Sequence, residues 1–375
     1  MADKRITRRD ALQSGALSVA ALSLAACGSS GSSSGSAAAT TGNSASPVSM
    51  NWITWNDHYL PSKQLPAVKA QTGVSINITL QSDDSEGYIK VRSTHGQFDI
   101  ASTDALWAPF YHSTGLTKSF DLTSLPVSKQ LYSIAREFPF WKDGSNYLGY
   151  PHGWSNVRLY YNPAYVHPAP TSWQVLLEPK YRGKVVAENQ PTDLMAMAGL
   201  ATGAKQPYGM TTAEIARAKA FLKAAKPSFL KLVSQNSETV RALADGSAWI
   251  ATENLGTDYR VKAAGGPLIK AVIPHEGVVG WIDCEQMCAA SAHQDRFMSF
   301  INALDQPNWI AQNFLLNGRP LFNEKAYKIL VNQGYKERAD ALLYNQPELS
   351  MKMILKGPSK NVQAYLDAFN EVFAA

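Results

Sequence analysis

Cysteine is scarce in this 375-residue chain, which carries only Cys27, Cys284 and Cys288. That excludes a small scaffold held together by several disulfides. The seven histidines are scattered, no H-E-x-x-H occurs, and no Cys/His arrangement is visible. A hydrolase needs a nucleophile with a positioned base, so no enzymatic activity, cofactor or metal is expected. Basic residues do not cluster with interleaved aromatics, so nucleic acid is not an expected partner. Beyond the N-terminal segment, no apolar run reaches the length needed to cross a bilayer. The net charge of +5 is mild for a chain with 35 Lys and Arg against 30 Asp and Glu.

The N-terminus reads as an address. Lys4, Arg5, Arg8 and Arg9 form a charged head, followed by the apolar run from Ala11 to Ala26 and small residues at its exit. This is the layout of an export signal. Within it, "TRRDALQ" resembles a twin-arginine export motif, and "LAAC" resembles the box after which bacterial lipoproteins are cut, leaving Cys27 to carry lipid. Residues 1–27 are therefore expected to leave up to the lipidated cysteine, and 28–47, rich in Gly, Ser, Ala and Thr and without charge, to act as a flexible tether. "GSSSG" inside that tether matches G-x-S-x-G formally, but it has no strand before it and no helix after it. Four basic and two acidic residues precede Cys27, so the remaining chain carries +3. The lipid on Cys27 is the expected membrane anchor, and an extracytoplasmic location follows.

From Val48 onward, 45% hydrophobic and 17% charged residues in the whole chain fit a folded protein with a core, and the length allows two domains. Strand-like and helix-like segments alternate, which predicts an α/β architecture. "VSINITL" alternates as a half-buried strand does, and "LPAVKAQTG" ends at Gly73 as a helix should. "TTAEIARAKAFLKAAKP" opens with Thr211 or Thr212 as N-cap and Glu214 in its first turn, and stops before Pro227. "SETVRALADG", "HQDRFMSFINALDQ" and "NVQAYLDAFNEVFAA" read as further helices. "MNWITW", "FDIAST", "YLGYPHGWSNVRLYYNP", "GKVVAEN" and "SAWIATEN" read as strands.

Polar and aromatic residues gather where these strands end: Trp55, Asn56 and Asp57, then Asp104, Glu188 and Asn189, Glu253 and Asn254, and finally Trp281 and Asp283. In open α/β sheets, ligands sit beyond the carboxyl ends of strands. Trp281 and Asp283 lie two apart in "GVVGWIDCEQ", so alternation puts ring and carboxylate on one face. Cys284 and Cys288, if both lie on that extended run, are about 13 Å apart and too far for a disulfide. Tyr160 and Tyr161 resemble the paired tyrosines of ferric-ion binders only superficially. As neighbours on a strand they face opposite sides, expected to be core and surface.

From about Met50 to its end, the chain resembles the polyamine-binding proteins of bacterial ABC importers, the spermidine/putrescine family. The resemblance is carried by "NWITWNDHYLPS", "QFDIAST", "TSWQVLLEPKYRGKVV" and "EGVVGWIDCEQ", with "NGRPLFN" weaker. It implies a two-lobed periplasmic-binding-protein fold of type II-like topology, with a cleft between lobes joined by a hinge. The implied crossings fall near Gly153–Ser155, Trp281–Ile282 and Tyr327. Lobe one is then 48–154 plus 282–327, and lobe two 155–281 plus 328–375. The resemblance also implies ligand-binding residues: Trp55, Asp57, Tyr59 or His58, Asp104, Asp193, Glu253, Trp281 and Asp283. An ammonium would meet the carboxylates while its methylene chain lies along the indoles.

This sequence departs from the family at Gln190, Asn254, Arg319 and Leu355, where an acid, a Trp, a Tyr and a Gln are usual. Arg319 in the cleft would either neutralise an Asp or receive an anionic ligand group, which opens a zwitterionic amine of opine or amino-acid type as the alternative. A monomer that hands its ligand to a membrane permease and ATPase is implied, with presentation to a membrane sensor as the other outlet.

Overall fold

Side-chain alternation and helix capping account for most elements of the computed structural model, which describes residues 46–373. The expected leader, Cys27 and nearly all of the tether lie outside the described residues. The strands in chain order are β1 (Val48–Thr54), β2 (Val74–Leu80), β3 (Ile100–Asp104), β4 (Thr117–Lys118), β5 (Lys142–Asp143), β6 (Asn146–Tyr147) and β7 (Tyr150–Tyr161). They continue with β8 (Val185–Glu188), β9 (Phe229–Val233), β10 (Ile250–Asn254), β11 (Lys270–Val272), β12 (Val279–Cys288) and β13 (Ile354–Leu355).

All but β5 and β6 join one sheet whose main order is β2-β1-β3-β12-β7-β10-β8-β9. β2, β1 and β3 are mutually parallel, as are β10, β8 and β9. Between these triplets run the two long strands: β12 lies antiparallel to β3 and to β7, and β7 antiparallel to β10. β7 pairs with β12 through Asn156 and with β10 from Val157 onward, so one strand serves both triplets in succession. β12 likewise pairs with β13 at Val279 and Gly280, then with β3 from Asp283 to Met287. The mixed α/β architecture expected from the sequence is the one observed. Among the described residues, no helix is long and apolar enough to cross a membrane.

Local chemistry explains the helices that were legible. Thr211 caps the helix Thr212–Ala225 in a reciprocal capping box with Glu214. Gly73 ends the helix Gln64–Thr72 in the left-handed region at φ 72°, where a side chain would be strained. The helix Pro191–Ala201 left no amphipathic trace because every residue from Asp193 to Ala201 is buried. Tyr327, the third expected crossing, lies within the continuous helix Glu324–Asn332.

Two expectations meet the structure directly. Cys284 and Cys288 both lie on β12 as free, buried thiols. Tyr160 and Tyr161 are both buried, in separate apolar clusters, so the expected core-and-surface split is wrong. The sheet is covered on both faces there, and neither face of β7 is left to solvent.

Candidate functional site

Within the two parallel triplets, β1, β3, β8 and β10 end in or lead into acidic residues. β1 leads into Trp55, Asp57 and His58; β3 ends at Asp104; β8 ends at Glu188; β10 ends in Glu253 and Asn254. Asp193 stands in the first turn of the helix Pro191–Ala201, just after β8.

Asp283 is the centre of one cluster. It is buried, and Arg319 Nη1 donates to its Oδ2. Arg319 Nε also lies 3.3 Å from Asp57 Oδ2, so one guanidinium bridges two of the expected ligand carboxylates. The side chain of Arg319 is 11% exposed and faces inward. Burial alone would push the Asp283 carboxyl up, yet Arg319 and His58 hold it well below the usual carboxylate range.

His58 is the aromatic residue that joins this cluster. Its Nδ1 lies 2.6 Å from Glu285 Oε1, and its Nε2 lies 3.3 Å from Asp283 Oδ2 without hydrogen-bond alignment. Burial would lower its pKa, but Glu285 and Asp283 raise it to about 9, so the ring is charged at neutral pH. Its ring stacks on His152 at 4.2 Å and tilts against Trp55 at 5.2 Å. His152 is driven well below the ordinary histidine value by burial and by its cationic neighbours His58 and Arg319. Tyr59 instead packs against Trp52 at 5.7 Å on the core side. Glu285 is fully buried and accepts hydrogen bonds from Trp52 and Ser102.

His58, His152 and Glu285 bring ligand-type atoms within 4.8 Å of one another. The imidazoles are nearly parallel, 17° apart, so their in-plane nitrogen lone pairs run side by side and do not converge on a point. The arrangement suits a charged stack better than a metal centre.

Lys356 is the centre of the second cluster. Its ammonium contacts Asp193 Oδ2 and lies 4.4 Å from the ring centroid of Trp281. Asp193 is further fixed by the hydroxyl of Tyr208, which donates at 2.8 Å. Burial would lower the Lys356 pKa, but Asp193, Asp104 and Glu188 raise it above the ordinary lysine value. Asp104 and Glu188 come from opposite triplets, so Lys356 sits where the two sets of strand ends meet.

Several acids around it lack a full counter-charge. Asp104 lies directly across from Asp283 on β12, and its backbone N–H donates to Asp84 Oδ1 at 2.9 Å. Burial, then the charges of Asp84 and Asp283, push the Asp104 carboxyl well above the usual range. Burial raises Asp84 to about 7. Glu188 is raised to about 7 by burial and by nearby Glu253, which itself accepts from Thr239 Oγ1 at 2.7 Å.

The structure thus links Trp55, Asp57, Asp104, Asp193, Trp281, Asp283 and Arg319 into one charged seam, with Glu253 at its margin and Tyr59 outside it. Glu285 had a signal in sequence, since Trp281, Asp283 and Glu285 are each two apart on β12. Lys356 had none.

The family described as bacterial extracellular solute-binding protein matches residues 64–335. The spermidine/putrescine-binding periplasmic protein of Escherichia coli (strain K12) is 24% identical over 283 residues, covering 74% of this chain and 79% of that protein. Among solved structures, the spermidine/putrescine ABC transporter substrate-binding protein of Streptococcus pneumoniae aligns at a TM-score of 0.65 and 16% identity, covering 87% of this chain and 97% of that one. The PBP MotA from A. tumefaciens B6, in complex with glucopine, aligns at 0.62 and 17% identity, covering 87% and 99%. At these identities the structural likeness speaks for a shared two-lobed fold alone.

Proposed function

This chain belongs to the bacterial extracellular solute-binding proteins, and on that footing we propose that it captures an amine cation, of the spermidine or putrescine kind or related to it, for an ABC importer. Lobes drawn at 48–154 plus 282–327 and at 155–281 plus 328–375 close over the ligand and deliver it to a permease driven by an ATPase. The chain is exported by its twin-arginine signal, anchored through lipid on Cys27, monomeric and without catalytic activity.

One observation carries the reading: the seam holds more buried carboxyl groups than cations to neutralise them. Burial, and then neighbouring carboxylates, push Asp84, Asp104 and Glu188 up, and Lys356 offsets this only in part. An arriving ammonium would relieve that, while Trp55 would add roughly 0.5 to 2 kcal/mol through its ring face. Closure excludes water and strengthens both effects. Calorimetry of the purified protein with spermidine, putrescine and the matching neutral diols tests this. Saturable binding of the amines alone is expected; binding of diols and amines alike defeats the proposal.

An amine that also bears a carboxylate is the second reading. Arg319 Nη2 and His58 Nε2 are buried without hydrogen-bond partners, and a carboxylate would accept from such donors. Glucopine in the same titration separates the two.

A further inference from the structure

We propose that Lys356 is a built-in occupant of one ammonium position in the cleft, so that the preferred ligand presents a single ammonium and a second one finds its place taken. The inference rests on the amine reading above and narrows it.

An ammonium moved out of water needs an aromatic face, a carboxylate and further negative charge around it. Lys356 has all three from within the chain: the Trp281 ring at 4.4 Å, the Asp193 carboxylate in contact, and Asp104 and Glu188 facing it. Trp281 and Asp193 are two of the residues expected from sequence to hold a ligand amine. The chain's own lysine has taken them.

The backbone keeps it there. Lys356 N–H donates to Gly280 O at 2.9 Å, and Ile354 N–H donates to Val278 O at 2.9 Å, so the lysine is pinned to the strand that carries Trp281. Gly280 leaves room for β7 and Met353 on this stretch, because a Cβ at this position would lie 2.2 Å from Met353 Sδ and 2.6 Å from the Ser155 carbonyl oxygen. A group tethered this closely acts at an effective concentration on the order of millimolar or more. A free amine at micromolar concentration competes poorly against it. Asp84, which accepts from the Asp104 N–H at 2.9 Å, and Asp104, opposite Asp283, are the carboxyl groups left for one further ammonium.

The test compares butylamine with putrescine, equal in carbon count and different by one ammonium, on the wild-type protein and on Lys356→Met. Isothermal calorimetry of the wild type is expected to give the two amines affinities within about threefold of each other. Lys356→Met is expected to gain about tenfold or more for putrescine and to change little for butylamine. Wild-type protein that already prefers putrescine by more than about tenfold overturns the inference, as does a variant with no gain for putrescine. The wild-type comparison decides the matter alone if thermal melting shows that the variant does not fold. Failure of either protein to bind any amine defeats the amine reading itself, whereas amine binding blind to Lys356 defeats only the narrower inference.

Discussion

Asp104 and Asp283 lie directly opposite one another on the neighbouring antiparallel strands β3 and β12, both buried. Like charges in that relation repel, and their surroundings resolve the conflict unequally. Arg319 and His58 keep Asp283 ionised, while burial and then the charges of Asp84 and Asp283 push Asp104 toward its protonated form. The pair is thus divided between a carboxylate held charged and a carboxyl group held toward neutrality.

Asp104→Asn removes the repelled group without orphaning a cation. Stability to urea is expected to stay level or rise by up to about 1 kcal/mol, while amine affinity falls. Unfolding curves and calorimetry on the same preparation check both halves; unchanged amine affinity removes Asp104 from the site.

Asp283→Asn behaves oppositely. It leaves Arg319 and His58 buried without their shared anion, and breaking such a pair costs about 3 to 5 kcal/mol. Urea denaturation is expected to show that loss even without ligand. A variant as stable as the parent contradicts the buried ion pair.

Arg319→Tyr frees Asp57 and Asp283 from their bridging guanidinium. Affinity for spermidine and putrescine relative to glucopine is expected to rise, about tenfold for each 1.4 kcal/mol of recovered pairing. An unchanged preference in a ligand screen takes Arg319 out of ligand selection.

Amine binding should be linked to protons. Asp84 and Glu188 titrate near 7 in the free protein, raised chiefly by burial. A bound ammonium favours their ionised forms, so binding releases protons below about pH 7 and affinity rises as pH climbs toward it. Calorimetry at pH 6 in buffers of differing ionisation heat should show the release. Heats independent of buffer refute the linkage.

Stability should decline on the alkaline side through His58. Its folded value of about 9 lies above the ordinary 6.5, so the folded state binds the proton more tightly. Its contribution is full below about pH 6.5 and is lost as pH rises through 9. Urea midpoints from pH 6 to 10 should fall across that window and flatten in His58→Gln; identical profiles for the two proteins would exclude His58 as the source.

The sequence by itself determined the α/β alternation, the helix start at Thr211 or Thr212 with Glu214 in its first turn, the stop at Gly73, and the acids and indoles at strand ends. Each is written within a few residues, as a period of two or 3.6 or as cap chemistry, so a local reading suffices. The helix Pro191–Ala201 escaped because burial on all sides erases the period. Only the tertiary structure decided who pairs with whom. It turned Arg319 inward onto Asp57 and Asp283, put His58 where Tyr59 was equally eligible, and laid Lys356 over Trp281. Coulomb pairing depends on distance in space, and residues far apart along the chain leave no periodic mark of their meeting.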